Sequence, residues 1–203
     1  MQPQVDPFIA PVCHDDIEIL AQDESLLLIN KPSGLLSLSG KHPLNKDSVH
    51  YRLVQEFPTA TLLHRLDLGT SGVMLVALNK TVNGLLTKQF QERTVKKKYV
   101  AILQGDLAQN EGVIDFPIAK GEFPLQKICH VEGKPAVTHY QVLERLGGGR
   151  TRVEFTPLSG RTHQLRIHSR EIGHPILGCD LYANDEAFAM ADRLQLHATQ
   201  LDF

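Results

Sequence analysis

Ala136–Pro157 reads AVTHYQVLERLGGGRTRVEFTP, and this stretch decides the fold class. Two apolar-rich segments, Ala136–Leu146 and Arg150–Pro157, flank Gly147-Gly148-Gly149. In the second, Val153 and Phe155 alternate with Arg152 and Glu154, the period-two pattern of a half-buried strand. A phosphate cradle would need a Lys-Ser/Thr pair and a helix after the glycines; neither follows, so the run is a hairpin turn between antiparallel strands.

Working outward, the rest of the chain repeats the theme of short apolar runs between turn signals. Ser25–Asn30 and Val73–Leu78 read as buried strands, the first ended by Lys31-Pro32-Ser33-Gly34. Lys97–Leu103 and Gly112–Ile118 read as further strands, and Leu194–Phe203 as the last. Asp47–Phe57 predicts a helix capped by Asp47, with Val49, Leu53 and Phe57 on one face and Pro58 stopping it. Val82, Leu85, Leu86 and Phe90 mark a second helix. Thr162–Ile172 predicts a third, closed by Gly173, with His163, Arg166 and Arg170 sharing a face beside that of Leu165, His168 and Ile172. A short helix is expected near Asp185–Ala191. The fold class is α+β, a mixed but mainly antiparallel sheet with flanking helices. Residues 1–15, rich in Gln and Pro at the start, read as a loose arm, and residues 16–203 as one domain.

The 203 residues carry a formal charge of −2, with 42% hydrophobic and 22% charged residues, which excludes a uniformly basic nucleic-acid coat. Local balance differs: Lys88–Lys98 holds five bases against Glu92, and Arg145–Arg170 holds six arginines against Glu154. Such a face suits phosphates, although charge runs are more often simply solvated. No apolar run approaches the ~18 residues of a membrane span. Cys13, Cys129 and Cys179 are too scattered for a disulfide framework or a metal cage, and a reduced, cytoplasmic chain is expected. His163 and His168 are five residues apart, unlike the i, i+4 pair of a zinc helix, and His64 with Asp67 is an insufficient ligand set, so no metal is expected.

The stretch most suited to chemistry is His64-Arg65-Leu66-Asp67-Leu68-Gly69-Thr70-Ser71-Gly72, a tight loop with one carboxylate. Asp67 could equally cap a turn and Arg65 be solvated. In Ser159-Gly160-Arg161-Thr162-His163-Gln164-Leu165-Arg166-Ile167-His168, cations near a helix start oppose its dipole and call for an anion, from the protein or from a ligand. Tyr99, closing Lys96-Lys97-Lys98, is suited to stacking on a base, or else is a strand tyrosine facing the core.

With Asn30-Lys31-Pro32-Ser33-Gly34, His64-Arg65-Leu66-Asp67-x-x-Thr70-Ser71-Gly72, Lys98-Tyr99 and Gly160–His168 in that order, the chain resembles the RluA-type RNA pseudouridine synthases from about Asp16 onward. It is closest to the RluA subgroup, which lacks an N-terminal S4-like domain and acts on 23S rRNA and the tRNA anticodon stem-loop. The resemblance implies the pseudouridine synthase catalytic fold with a cleft across the sheet, and isomerisation of uridine to pseudouridine by base flipping. It implies Asp67 as the essential acid, Arg166 as its partner and Tyr99 against the target uracil. It further implies RNA contacts from His64, Arg65, Lys96, Lys97, Arg161 and Leu165, with Arg65 filling the space the base leaves. Neither cofactor nor metal is expected, and the partner is RNA, met by a monomer without membrane or obligate protein partner. An RNA-binding domain that has lost the reaction, or a metal-dependent phosphohydrolase using His64 and Asp67, would be the alternatives.

Overall fold

The computed structural model describes residues 8–203, which form two compact units meeting in sequence at Val95 and Lys96, with Phe203 assigned to the first. The strand pairs described below are antiparallel, and together with the helices the strands make an α+β fold.

In the first unit, β1 (Glu18–Gln22) pairs with β2 (Leu26–Lys31), β2 with β4 (Ser71–Ala77), and the two-residue β3 (Thr61–Leu62) with β4. β2 alternates as a strand with one buried face should, placing Leu27, Ile29 and Lys31 inside. β4 is buried along nearly its whole length, as its continuous apolar run requires. Helix α1 (Val49–Glu56) starts later than expected: the Ser48 hydroxyl accepts from the Tyr51 amide and is the cap. Asp47 instead takes Arg52 in a two-pronged pair with Nε and Nη2, each at 2.7 Å. Helix α2 (Lys80–Glu92) is capped by Asn79 and lies against β4. Of the arm expected over residues 1–15, residues 1–7 lie outside the described residues. Residues 8–15 hold no helix or strand but are fastened: Arg52 donates to the Cys13 and Asp15 carbonyls, and Asn45 bonds Phe8 and Ala10.

In the second unit the sheet order is β11 (Leu196–Asp202), β5 (Lys96–Gln104), β10 (Arg150–Pro157), β9 (Val137–Arg145), β6 (Glu111–Asp115). The expected hairpin is β9–β10, and its three glycines all have positive φ, between 58° and 75°. The strand expected over Gly112–Ile118 is broken at Phe116-Pro117, because proline cannot donate to a ladder. Its end belongs to β7 (Ile118–Lys120), which forms a separate hairpin with β8 (Gln126–Ile128). Helix α3 (Gln164–Glu171) lies against β8 and β9, and α4 (Asp185–Ala189) precedes β11, which begins at Leu196 rather than Leu194. The core of this unit gathers Ala101, Leu103, Val153, Phe155, Leu165 and Ile167 from sheet and helix. Among the described residues no helix is long and apolar enough to cross a membrane.

Candidate active site

Asp67 lies in a loop of the first unit whose neighbours are held from three sides. The Ser37 hydroxyl donates to the Leu66 carbonyl at 2.7 Å and accepts from the Leu66 amide at 3.1 Å. The Leu68 carbonyl accepts from the Gly34 amide at 2.8 Å and from Lys31 Nζ at 3.2 Å. The Ser33 hydroxyl donates to the Gly69 carbonyl at 2.7 Å, and the Thr70 amide to that of Asp67 at 3.1 Å. The Lys31-Pro32-Ser33-Gly34 turn is therefore a clamp on the acidic loop. Gly34 makes it possible, with φ +83°, a conformation that carries a penalty for any side chain.

Lys31 is the anchor of this clamp, and nothing in its residue type announced it. It is fully buried, 0% exposed, at the position where β2 would otherwise continue Leu27 and Ile29. A buried ammonium needs all three donors used. Here they go to the carbonyls of Pro32 at 2.8 Å, Leu35 at 2.7 Å and Leu68 at 3.2 Å. Burial lowers its pKa to about 8, while the Cys13 thiol and the Asp67 carboxylate pull the other way. The signal that could have found it was the alternation of β2 carried one residue past Asn30.

His64 serves the same loop. Its Nε2 accepts from the Leu75 amide at 3.1 Å, and its ring stacks on Phe90 with centroids 5.0 Å apart. Arg65 is exposed, Leu66 buried and Asp67 half-buried, so the loop hangs on an apolar root.

The other predicted residues belong to the second unit. Tyr99, on β5 opposite Phe155, is half-buried and packs against the same apolar cluster that contains Leu165. Lys96 is exposed at the start of the strand, whereas Lys97 points its Nζ toward Gly160, 3.4 Å from where a Cβ would stand. Arg161 Nε donates to the Pro135 carbonyl at 3.1 Å.

The start of α3 is built by Gln164, whose Oε1 accepts from the Ser159 hydroxyl at 2.8 Å and the Arg161 amide at 3.1 Å. His163 precedes it in the left-handed conformation, φ 56°. His168 is structural: its ring nitrogens meet Thr138 Oγ1 and the Phe116 carbonyl, each at 2.9 Å, and burial lowers its pKa. Arg166 is buried. Its Nε meets Cys179 Sγ at 3.3 Å, and its Nη2 pairs with the exposed carboxylate of Asp180. The cation near the helix start thus has an acid within its own unit. The turn that brings Cys179 and Asp180 there begins at Gly178 (φ +68°), where a Cβ would fall 2.1 Å from the Arg193 carbonyl oxygen.

Several cations counted toward a phosphate-facing patch are matched by acids. Lys98 pairs with Glu154 at 2.8 Å, Arg152 with Glu144 at 2.6 Å, and Arg170 with Glu171. A depression of about 500 Å³ on this unit, lined by Glu111, His139, Tyr140 and Glu154 among others, contains none of the motif residues. Among the described residues no three His, Cys, Asp or Glu side chains are grouped to hold a metal ion.

Known proteins align with this arrangement over most of its length. The family described as RNA pseudouridylate synthase matches residues 25–171. A dual-specificity RNA pseudouridine synthase RluA of Yersinia pestis is 53% identical over 185 residues, 90% of each chain. Its counterpart in Escherichia coli K12 is 48% identical over 90% of this chain and 84% of its own. Among solved structures, human RNA pseudouridylate synthase domain containing 1 superimposes with a TM-score of 0.79 at 30% identity, covering 94% of this chain and 80% of its own.

Proposed function

We propose, since the chain belongs to the RNA pseudouridylate synthase family and is an enzyme that isomerises uridine to pseudouridine in RNA, that Asp67 is the acid on which its turnover depends. In the reaction the bond from N1 to C1′ breaks, the uracil turns, and C5 bonds to C1′. The C5 proton leaves and N1 gains one. No atom is lost and no electron is exchanged with a carrier, so no cofactor is called for.

Asp67 acts as a carboxylate, either attacking the ribose or base or taking a ribose proton. Both roles need the charged form, which a dry cleft disfavours and a guanidinium restores. Arg166 is assigned that part. Tyr99 is assigned the packing against the uracil, with its hydroxyl helping to remove the C5 proton. The target uridine must leave its stack, at a cost of a few kcal/mol, and Arg65 fills the gap. Lys96, Lys97 and Arg161 hold phosphates and read no sequence, with His64 completing the RNA-facing set and Leu165, 7% exposed, backing it from the core. The substrates are 23S rRNA and the tRNA anticodon stem-loop, met in the cytoplasm by a monomer without an obligate protein partner.

The observation that supports this reading most is the clamp of Lys31, Ser33 and Ser37 on the residues flanking Asp67. A chain that only bound RNA would have no use for fixing the backbone on both sides of one acid so closely. The test is Asp67→Asn: pseudouridine formation is lost on an anticodon stem-loop transcript, while RNA affinity stays within about tenfold because the phosphate contacts lie elsewhere. Turnover that survives this change refutes the assignment.

A further inference from the structure

His163, just before α3, and Arg166 and Arg170 on it all meet one side chain. Tyr182, only 4% exposed, has its ring centroid 5.4 Å from Cζ of Arg166 and 5.4 Å from Cζ of Arg170. Its ring meets that of His163 at 72°, with centroids 5.5 Å apart. The hydroxyl oxygen lies 2.8 Å from His163 Nδ1 and accepts from the Gln126 amide of β8 at 2.8 Å. One tyrosine therefore joins the β7–β8 hairpin, the start of α3 and two guanidinium groups.

We infer that Tyr182 is a positioning residue for Arg166, setting the tilt of the guanidinium that the reaction uses; this rests on the reading of Arg166 given above. A guanidinium is planar, and the contacts of Nε with Cys179 and of Nη2 with Asp180 hold one edge of it without by themselves setting the tilt of its plane. The Tyr182 ring, with Cζ over it at 5.4 Å, adds a contact off that edge, because cation and π face attract. Cys179, Asp180 and Tyr182 come from a single turn, so the cradle is one unit. Gly178 gives that turn its path. The tilt of a catalytic partner matters steeply, since small misplacements of reacting groups cost large factors in rate.

The test combines Tyr182→Leu and Tyr182→Phe with Arg166→Lys, reading single-turnover pseudouridine formation and RNA affinity. Tyr182→Leu lowers the rate at saturating RNA by about tenfold or more with affinity within about twofold, while Tyr182→Phe, which keeps the ring, regains the rate to within about threefold. In the Arg166→Lys background the same Leu substitution costs little, because its target is gone. A Leu variant with an unchanged rate, or an equal cost in both backgrounds, overturns the positioning role. Near-normal turnover in Arg166→Lys alone sinks instead the reading of Arg166 itself. If Tyr182→Leu does not fold, Tyr182→Met carries the same comparison. The Arg166 Nε–H resonance of the unaltered enzyme is a further check: it lies displaced by the tyrosine ring current, and an unshifted signal contradicts the contact.

Discussion

Ser37 and Leu66 exchange two hydrogen bonds through a single hydroxyl, which satisfies both the amide and the carbonyl of the residue just before Asp67. The pair spans 29 positions of sequence and is buried. Ser37→Ala leaves both backbone groups without this partner, at a cost of about 1–3 kcal/mol. The variant is expected to melt several degrees lower and to turn over more slowly, with RNA affinity unchanged. Calorimetry beside a turnover assay checks this, and a variant as stable and as fast as the parent contradicts it.

Lys31 makes stability depend on pH in an unusual direction for a lysine. Its pKa is about 8 in the folded chain against 10.5 ordinarily. Below pH 8 folded and unfolded chains both hold the proton, and the full penalty of burying the charge applies. Between 8 and 10.5 only the unfolded chain retains it, so this residue's contribution rises with pH, by up to about 1.4 kcal/mol per unit. Urea unfolding at pH 7 and 9 should move the parent relative to Lys31→Met in the parent's favour by about 1 kcal/mol. A shift of opposite sign would show that burial does not govern this group.

His168 gives a dependence of the same sign in a lower pH window. Burial holds its pKa below 6.5, so the unfolded chain takes up the proton first as the pH falls. Stability from this residue is complete above pH 6.5 and is lost below it. His168→Gln should flatten the acid side of the stability curve while lowering the plateau at neutral pH. An acid limb unchanged by the substitution would assign the loss to other groups.

Tyr99→Phe and Tyr99→Ala separate ring from hydroxyl. If the hydroxyl takes the C5 proton, both fall together, by about a hundredfold or more, the usual range for a lost general base. A Phe variant well above the Ala variant assigns the effect to the ring.

Lys96→Ala should weaken RNA binding evenly across sequences and reduce the slope of log Kd against log salt by roughly one unit, leaving the rate at saturation alone. Titrations at several salt concentrations measure this, and an unchanged slope removes Lys96 from the phosphate contacts.

Much of the second unit was legible because its strands alternate. β10 spans Arg150–Pro157 as expected, and β5 and β9 differ from expectation by a residue at either end. β1 escaped notice because all five of its residues are exposed, and β3 because two residues carry no pattern. The β7–β8 hairpin was hidden by an apolar run that continues through Phe116-Pro117 into Ile118. At the site, motif residues stood out, and so did the stripe His163–Arg166–Arg170. What that stripe faces could not be read, since Cys179, Asp180 and Tyr182 reach it through a turn with no period. The charge count also overstated the basic face: Glu144 and Glu154 reach Arg152 and Lys98 only across paired strands, and Glu171, just past the counted span, pairs with its neighbour Arg170.

The side chains of Lys31, Ser33 and Ser37 grip peptide groups of residues 66, 68 and 69, never their side chains. Anchoring therefore constrains the grippers and leaves the gripped free in identity. Positions 68 and 69 can change as far as shape allows without unseating the acid. The same licence does not extend to 31, 33 or 37, where even a modest exchange would surrender a donor that the peptide backbone cannot replace.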